Sequence, residues 1–368
     1  MGGRWILAAL ALTAGCGGGS QSGAGGASVA GDDGSVSGLD DSGAPLPPVS
    51  DANLGNCTVS LMTYGVIDAE YDAALDRIVT VSAYPNRLHI LDGVAGTETT
   101  VDLPRIPAAV SVGPDGLTAA VGHDGFVSLV DLMAAKVSKT VPVFSDVSDI
   151  ALGNGYAYVL PKTDQWVQVH SVDLTAGVDR TMPNQSTVYA GAVGVLQAGL
   201  GALYIAVQGS PSGVQRYNLV NGIATNGAGG SPACLAIWPG ADQTRIYTAC
   251  GTAVTTSNQS DDMKILGTMF NATTDDANFI SQGGTSVYVI RHNASSQTGS
   301  EDGKVEVYSA TTFALTSTMQ LPCIHTATRD VRSHGRFVFP TKAGNRVVVL
   351  VQADPGSSIA GNWGIAVL

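Results

Sequence analysis

The stretch PAAVSVGPDGLTAAVGHDGFVSLVDL, Pro107 to Leu132, decides how this chain is read. It holds three short apolar runs separated by two tight turns. Gly113-Pro114-Asp115-Gly116 has the Pro and Gly of a β-turn, and Gly122-His123-Asp124-Gly125 supplies the second. The runs are too short for helices, and Val is their commonest residue, so each is read as a strand. The third closes on Asp131.

The same grammar recurs along the chain. Upstream it is VIDAEYDAALDRIVTVSAYPNRLHILDG, from Val66 to Gly93. Downstream it recurs in segments that end at Leu174, Leu219, Asn258, Ala310 and Gln352. Seven units result, at a period of about 40 to 50 residues. A fourth short strand sits between units, as in TETTVDLP, KVSKTVPV and ALTSTMQLP. Four antiparallel strands per unit at this period predict an all-β protein, a seven-bladed β-propeller of four-stranded blades. Asp92, Asp131 and Asp173 at the third-strand ends are read as Asx-type turns rather than as a carboxylate cluster.

Those residues carry a resemblance. The segment from Pro107 to Leu132 resembles the YVTN-type repeat of bacterial seven-bladed propellers, in which a Pro opens the inner strand, Pro-Asp-Gly makes the first turn and Val-x-Val-x-Asp closes the third strand. The match covers about residues 58 to 352, and it is clear in this unit and approximate in the others. No unit carries the Trp-Asp dipeptide of WD-repeat propellers. The resemblance implies the fold and an extracytoplasmic setting. It implies no catalytic residue.

Composition agrees with a turn-rich β protein. Gly contributes 46 of 368 residues, and charged residues make up 13%, against roughly 25% in average domains. The net charge is −12 and no basic run occurs, so a nucleic-acid partner is not expected.

The first residues, MGGRWILAALALTAGCGGGS, have the layout of a secretory signal: a positive charge at Arg4, an apolar run from Trp5 to Leu12, then small residues. That run is short of the about 20 residues a membrane span needs. Thr13-Ala14-Gly15-Cys16 resembles a bacterial lipobox, with Leu12 four residues before the Cys. Cleavage at Ala9-Leu10-Ala11 is the competing reading. The expected organisation is a signal peptide over 1–15, a lipidated Cys16 with a Gly/Ser/Asp/Pro tether over 16–56, and the propeller over 57–368. The chain is then a monomer held by lipid at a membrane of the cell envelope, facing periplasm or exterior.

Cysteine arithmetic supports that setting. With Cys16 taken by lipid, four of the five Cys remain, enough for two disulfides. Cys234 is placed on the inner strand of the fifth unit, opposite Cys250 at the end of its second strand, with the turn centred on Asp242 between them. That leaves Cys57 with Cys323. The usual blade order puts these two at opposite ends of a strand, and C-terminal GIAVL competes with TVSLMT for the outer slot that closes the ring. Both the pairing and the closing strand stay open at this stage.

Motifs for chemistry are few. No Gly-x-Ser-x-Gly, P-loop, His-Glu-x-x-His or EF-hand pattern occurs, and no cofactor is expected. Propeller ligands are expected on the loops joining second to third strands and on the lead-ins to inner strands. His123, Asp124, Asp164 and His292 fall on such loops and His325 on a lead-in; these are the candidate ligand-binding residues. Gln208, Asp146 and Asp276 share that face, while His89, His170 and His334 are read as structural. The leading functional expectation is a binding or scaffolding module for an envelope or extracellular partner, protein or glycan. The alternative is a propeller-class enzyme, lactonase-like or a cofactor-dependent dehydrogenase, with its site at the axial mouth.

Overall fold

The computed structural model describes residues 56–368, except 183–185, 208–212, 232, 233, 235, 271–276, 292–302, 328, 355, 356, 358 and 360. The lipobox, the tether, Gln208, Asp276 and His292 therefore lie outside the described residues.

Seven four-stranded antiparallel sheets follow one another. In blade 2 the strands are Ala109–Val112, Thr118–His123, Phe126–Asp131 and Lys136–Pro142, so the quoted stretch is three strands of one blade. Blade 1 runs through Asp68–Asp72, Arg77–Ala83, Asn86–Asp92 and Thr97–Asp102. Blade 3 starts with Val147–Gly153, blade 4 with Val193–Gln197, blade 5 with Ile237–Pro239 and blade 6 with Ala277–Gly283. The seven sheets form a seven-bladed β-propeller.

A single sheet of this kind cannot cover its own faces, and the apolar clusters show what does. Each of seven clusters joins two neighbouring blades. One packs Val79, Val81 and Leu88 of blade 1 on Val110, Ala119 and Val121 of blade 2. The last packs Phe339, Val348 and Leu350 of blade 7 on Ala69, Ile78 and Leu91 of blade 1. The core is thus a set of seams. Each buried Val or Leu in a seam contributes roughly 1.5–3 kcal/mol, and only the closed ring buries all of them.

Turn chemistry follows the sequence closely. In blade 2 the Gly116 N–H donates to the Gly113 carbonyl at 2.9 Å, and Gly116 sits at φ +66°. A Cβ there would also lie 2.3 Å from the Ala74 Cβ of blade 1, so glycine is required twice over. The third-strand aspartates form the expected Asx turns. Asp92 Oδ1 accepts from the N–H groups of Val94 and Ala95, Asp131 Oδ1 from Ala134, and Asp173 Oδ1 from Thr175 and Ala176.

Blade 7 corrects the sequence reading. Its inner strand is Ser333–Pro340, its second is Val347–Ala353, its third is the C-terminal Trp363–Val367, and its outer strand is Ser60–Leu61 from the other end of the described chain. Of the two competitors for the outer slot, TVSLMT takes it through Ser60–Leu61, and GIAVL forms the third strand, one further in. His334 accordingly lies at the start of an inner strand rather than on an opposite-face turn.

Both disulfides are formed. Cys57 and Cys323 have Cα atoms 4.1 Å apart. The geometric difficulty disappears because the outer strand is two residues long. Upstream of it the Val59 N–H already reaches the Cys323 carbonyl on the link between blades 6 and 7. Cys234 and Cys250 have Cα atoms 5.8 Å apart. They flank the expected strand pair rather than belonging to it: the ladder runs Ile237↔Thr248 to Pro239↔Ile246, and the bridge lies just beyond its end.

Candidate functional site

Two features stand out, at opposite ends of the ring. One is the face of second-to-third-strand loops and blade-to-blade links, where the sequence reading looked. The other is a cavity of about 450 Å³ that opens toward the first-turn face. Its wall draws on the inner strand of every blade, through Asp68, Ser111, Asp149, Val193, Trp238, Ile280 and Phe339 among others, and so it lies on the propeller axis.

On the loop face, His123 is not presented to ligand. It is the last residue of a strand rather than a loop residue, and it is fully buried. Its Nδ1 donates to the Ile106 carbonyl at 3.1 Å, which leaves Nε2, 3.1 Å from Ser128 Oγ, to accept that hydroxyl. The ring stacks on Phe126 at 4.4 Å, and burial pushes its pKa below the ordinary histidine value. His89 has the same character, bonded to Ser82 and Glu98 and stacked on Tyr64. His170 bonds Asp179 at 2.7 Å.

Among the described residues, no group of three metal-ligating side chains includes Asp124, Asp164 or His325. Asp124 is exposed, with Lys162 Nζ 4.0 Å from its carboxylate. Asp164 is exposed on the loop of blade 3. His325 belongs to a small hairpin, Ile324–His325 with Asp330–Val331, inserted between blades 6 and 7, where its Nδ1 lies 2.7 Å from Asp330.

What the loop face does present is apolar. Tyr84 is 81% exposed and Phe144 87%, with Ile106 and Trp166 also exposed. All four lie on loops or links of blades 1 to 3 at the same end of the ring. Trp166 holds φ +62°, in the left-handed region a non-glycine residue rarely adopts, and meets Tyr189 edge-on at 4.5 Å. Trp363, by contrast, packs in blade 7.

The axial cavity has two unlike walls. On one side stand three carboxylates. Asp68 accepts from the N–H of Val110 at 2.8 Å, Glu70 from Val112 at 2.6 Å, and Asp149 from Gly194 at 2.7 Å, each reaching to the next blade. Their removal from bulk water raises all three pKa values, and mutual repulsion adds to it for Glu70 and Asp149: Glu70 is pushed up to about 8 and Asp149 to about 7. On the other side stand Trp238, Phe279 and Ile237. Sequence inspection missed this site. Its signal is Asp68-Ala69-Glu70-Tyr71-Asp72, whose alternate residues share one face of a strand.

No family model matches the chain, and no curated protein matches it. Solved structures do. The β-propeller domain of Cps50 (Swd1) from Myceliophteria thermophila aligns with a TM-score of 0.60 at 12% identity, over 84% of this chain and 98% of that one. Hydrazine synthase from Kuenenia stuttgartiensis aligns with a TM-score of 0.57 at 12% identity, over 84% and 96%. At these identities the likeness is one of fold. The chain is a seven-bladed β-propeller with two disulfides, an architecture consistent with a binding or scaffolding module and a bonding pattern suited to an oxidising compartment.

Proposed function

We propose that this protein is a lipid-anchored, extracytoplasmic binding module that docks a partner protein on the loop face of blades 1 to 3. The observation that carries the reading is the set of exposed large apolar side chains there, Tyr84, Ile106, Phe144 and Trp166. Water-exposed aromatics grouped on one end of a rigid fold are costly unless something covers them, and Tyr and Trp are enriched in interface cores. The ring supplies the rigidity and the loops the variation. The lipobox-like Thr13-Ala14-Gly15-Cys16 supports the anchor, and the disulfides support the compartment.

Charging the patch tests the reading. The double variant Phe144→Asp, Trp166→Asp should keep the unfolding free energy within about 0.5 kcal/mol for each surface change. It should also lose the partner that the unaltered chain retains after cross-linking in cells. Equal retention of that partner by the variant contradicts the proposal.

A further inference from the structure

The axial cavity lies at the other end of the ring from the docking face, and its chemistry points to a ligand of its own. Asp68, Glu70 and Asp149 line it, and no Lys or Arg is among the described residues of its wall. Glu70 feels the charge of Asp68 and Asp149, and Asp149 that of Asp68. Each also keeps acceptor capacity: two oxygens offer about four lone-pair sites, and the bonds to Ala69, Val110, Ser111, Val112, Ile150 and Gly194 take only some of them. Asp72 is on the same wall, nearer the mouth. It is 1% exposed, its Oδ1 holds the N–H groups of Ala74 and Leu75, and its Oδ2 has no hydrogen-bond partner. That oxygen has almost no accessible surface, so it lies behind the cavity wall and not against its contents.

We propose that this cavity binds a small organic cation, its ammonium group held on the Asp68, Glu70 and Asp149 side and its apolar body against Trp238 and Phe279. The volume suits it, since cavities that hold small molecules span about 300–1,000 Å³. An ammonium donates the hydrogen bonds that the carboxyl groups can still accept, and its charge favours their ionised form. The indole of Trp238 lines the same cavity beside Phe279 and adds apolar surface for the carbon body. A bare metal ion fits less well. The carboxylates come from blades 1 and 3, each tied to backbone N–H groups rather than free to converge on one centre, and half of the wall would give a metal no ligand.

The test uses the full chain and three probes of one shape: 2-phenylethylamine, 2-phenylethanol and phenylacetate, with calcium chloride as a fourth. Binding is followed by calorimetry and by tryptophan fluorescence. The amine should saturate one site at least tenfold more tightly than the alcohol, and phenylacetate should bind more weakly than either. The variant Glu70→Gln, Asp149→Asn should weaken the amine at least tenfold and the alcohol severalfold less than the amine. Trp238→Leu should weaken amine and alcohol alike. Equal binding of amine and alcohol overturns the proposal, as does saturable calcium binding without amine binding. The comparison of probes on the unaltered chain decides the matter even where the double variant does not fold.

Discussion

The carboxylate of Asp68 accepts a hydrogen bond from the backbone N–H of Val110 at 2.8 Å, across 42 residues of chain and one blade of the ring. The stitch repeats. Glu70 holds Val112 across 42 residues, Ser111 Oγ accepts from Leu152 across 41, and Asp149 holds Gly194 across 45. Side chains on one inner strand thus satisfy backbone donors on the next, which would otherwise face the channel. Replacing Asp149 with Ala leaves the Gly194 and Ile150 N–H groups without their acceptor. It should cost about 1–3 kcal/mol at pH 6, read by chemical denaturation.

These carboxylates also set a pH dependence. Glu70 releases its proton near pH 8 in the folded chain, against about 4.5 unfolded, and Asp149 near pH 7, against about 3.8. Between those limits the folded state holds more protons than the unfolded state, so stability falls as pH rises. Asp68 and Asp72, also raised by burial, act in the same direction. The melting temperature should be higher at pH 5 than at pH 8. The unfolding free energy should differ by on the order of 2 kcal/mol between the two pH values after screening by channel water, and Glu70→Gln should flatten the difference. A melting temperature that rises over this range would refute the assignment.

His123 serves the fold. Its two hydrogen bonds and its stack on Phe126 join the blade 1–2 link to the second and third strands of blade 2. His123→Ala should destabilise the chain by about 2–4 kcal/mol, and the unaltered chain should retain no zinc at this residue after dialysis.

How much of this was legible in the sequence follows from the range of each interaction. The blades were, because Pro114-Asp115-Gly116 and the Asp that ends a third strand act over three or four residues. Blade 7 was misassembled by one strand. Its third strand lies beyond a long loop and its outer strand comes from the far end of the chain, so no local pattern ties the four together. His123 looked like a loop residue because Gly122 reads as a turn. Gly122 is there instead because a Cβ would lie 2.4 Å from Val147 of blade 3. The axial acids were hidden for the same reason: what makes them a site is the inner strands brought around the axis, which only closure of the ring achieves.

The disulfides should differ in their contribution. Cys57–Cys323 spans 266 residues and fastens the ring where the two ends of the described chain meet, whereas Cys234–Cys250 spans 16 and staples one blade. By loop entropy the first contributes about 5 kcal/mol and the second about 3. Cys323→Ser with Cys57→Ser should therefore lower the unfolding midpoint more than Cys234→Ser with Cys250→Ser. The reverse order would mean that closure rests on the blade 7 strands alone.

Lipid attachment is tested at Cys16. Cells fed an alkyne-tagged fatty acid should label the unaltered chain and hold it in the membrane fraction, and Cys16→Ala should be unlabelled and released. Labelling that survives the substitution would exclude the lipobox reading.

The most direct measurement of the docking claim is a photo-reactive amino acid placed at position 144 in living cells, compared with the same probe at position 342. Phe144 stands on the loop face of blade 3, and Lys342 on the first turn of blade 7 at the opposite end. The account predicts a discrete protein adduct from position 144 and none from position 342. Adducts from 342 alone, or none from 144, would contradict it.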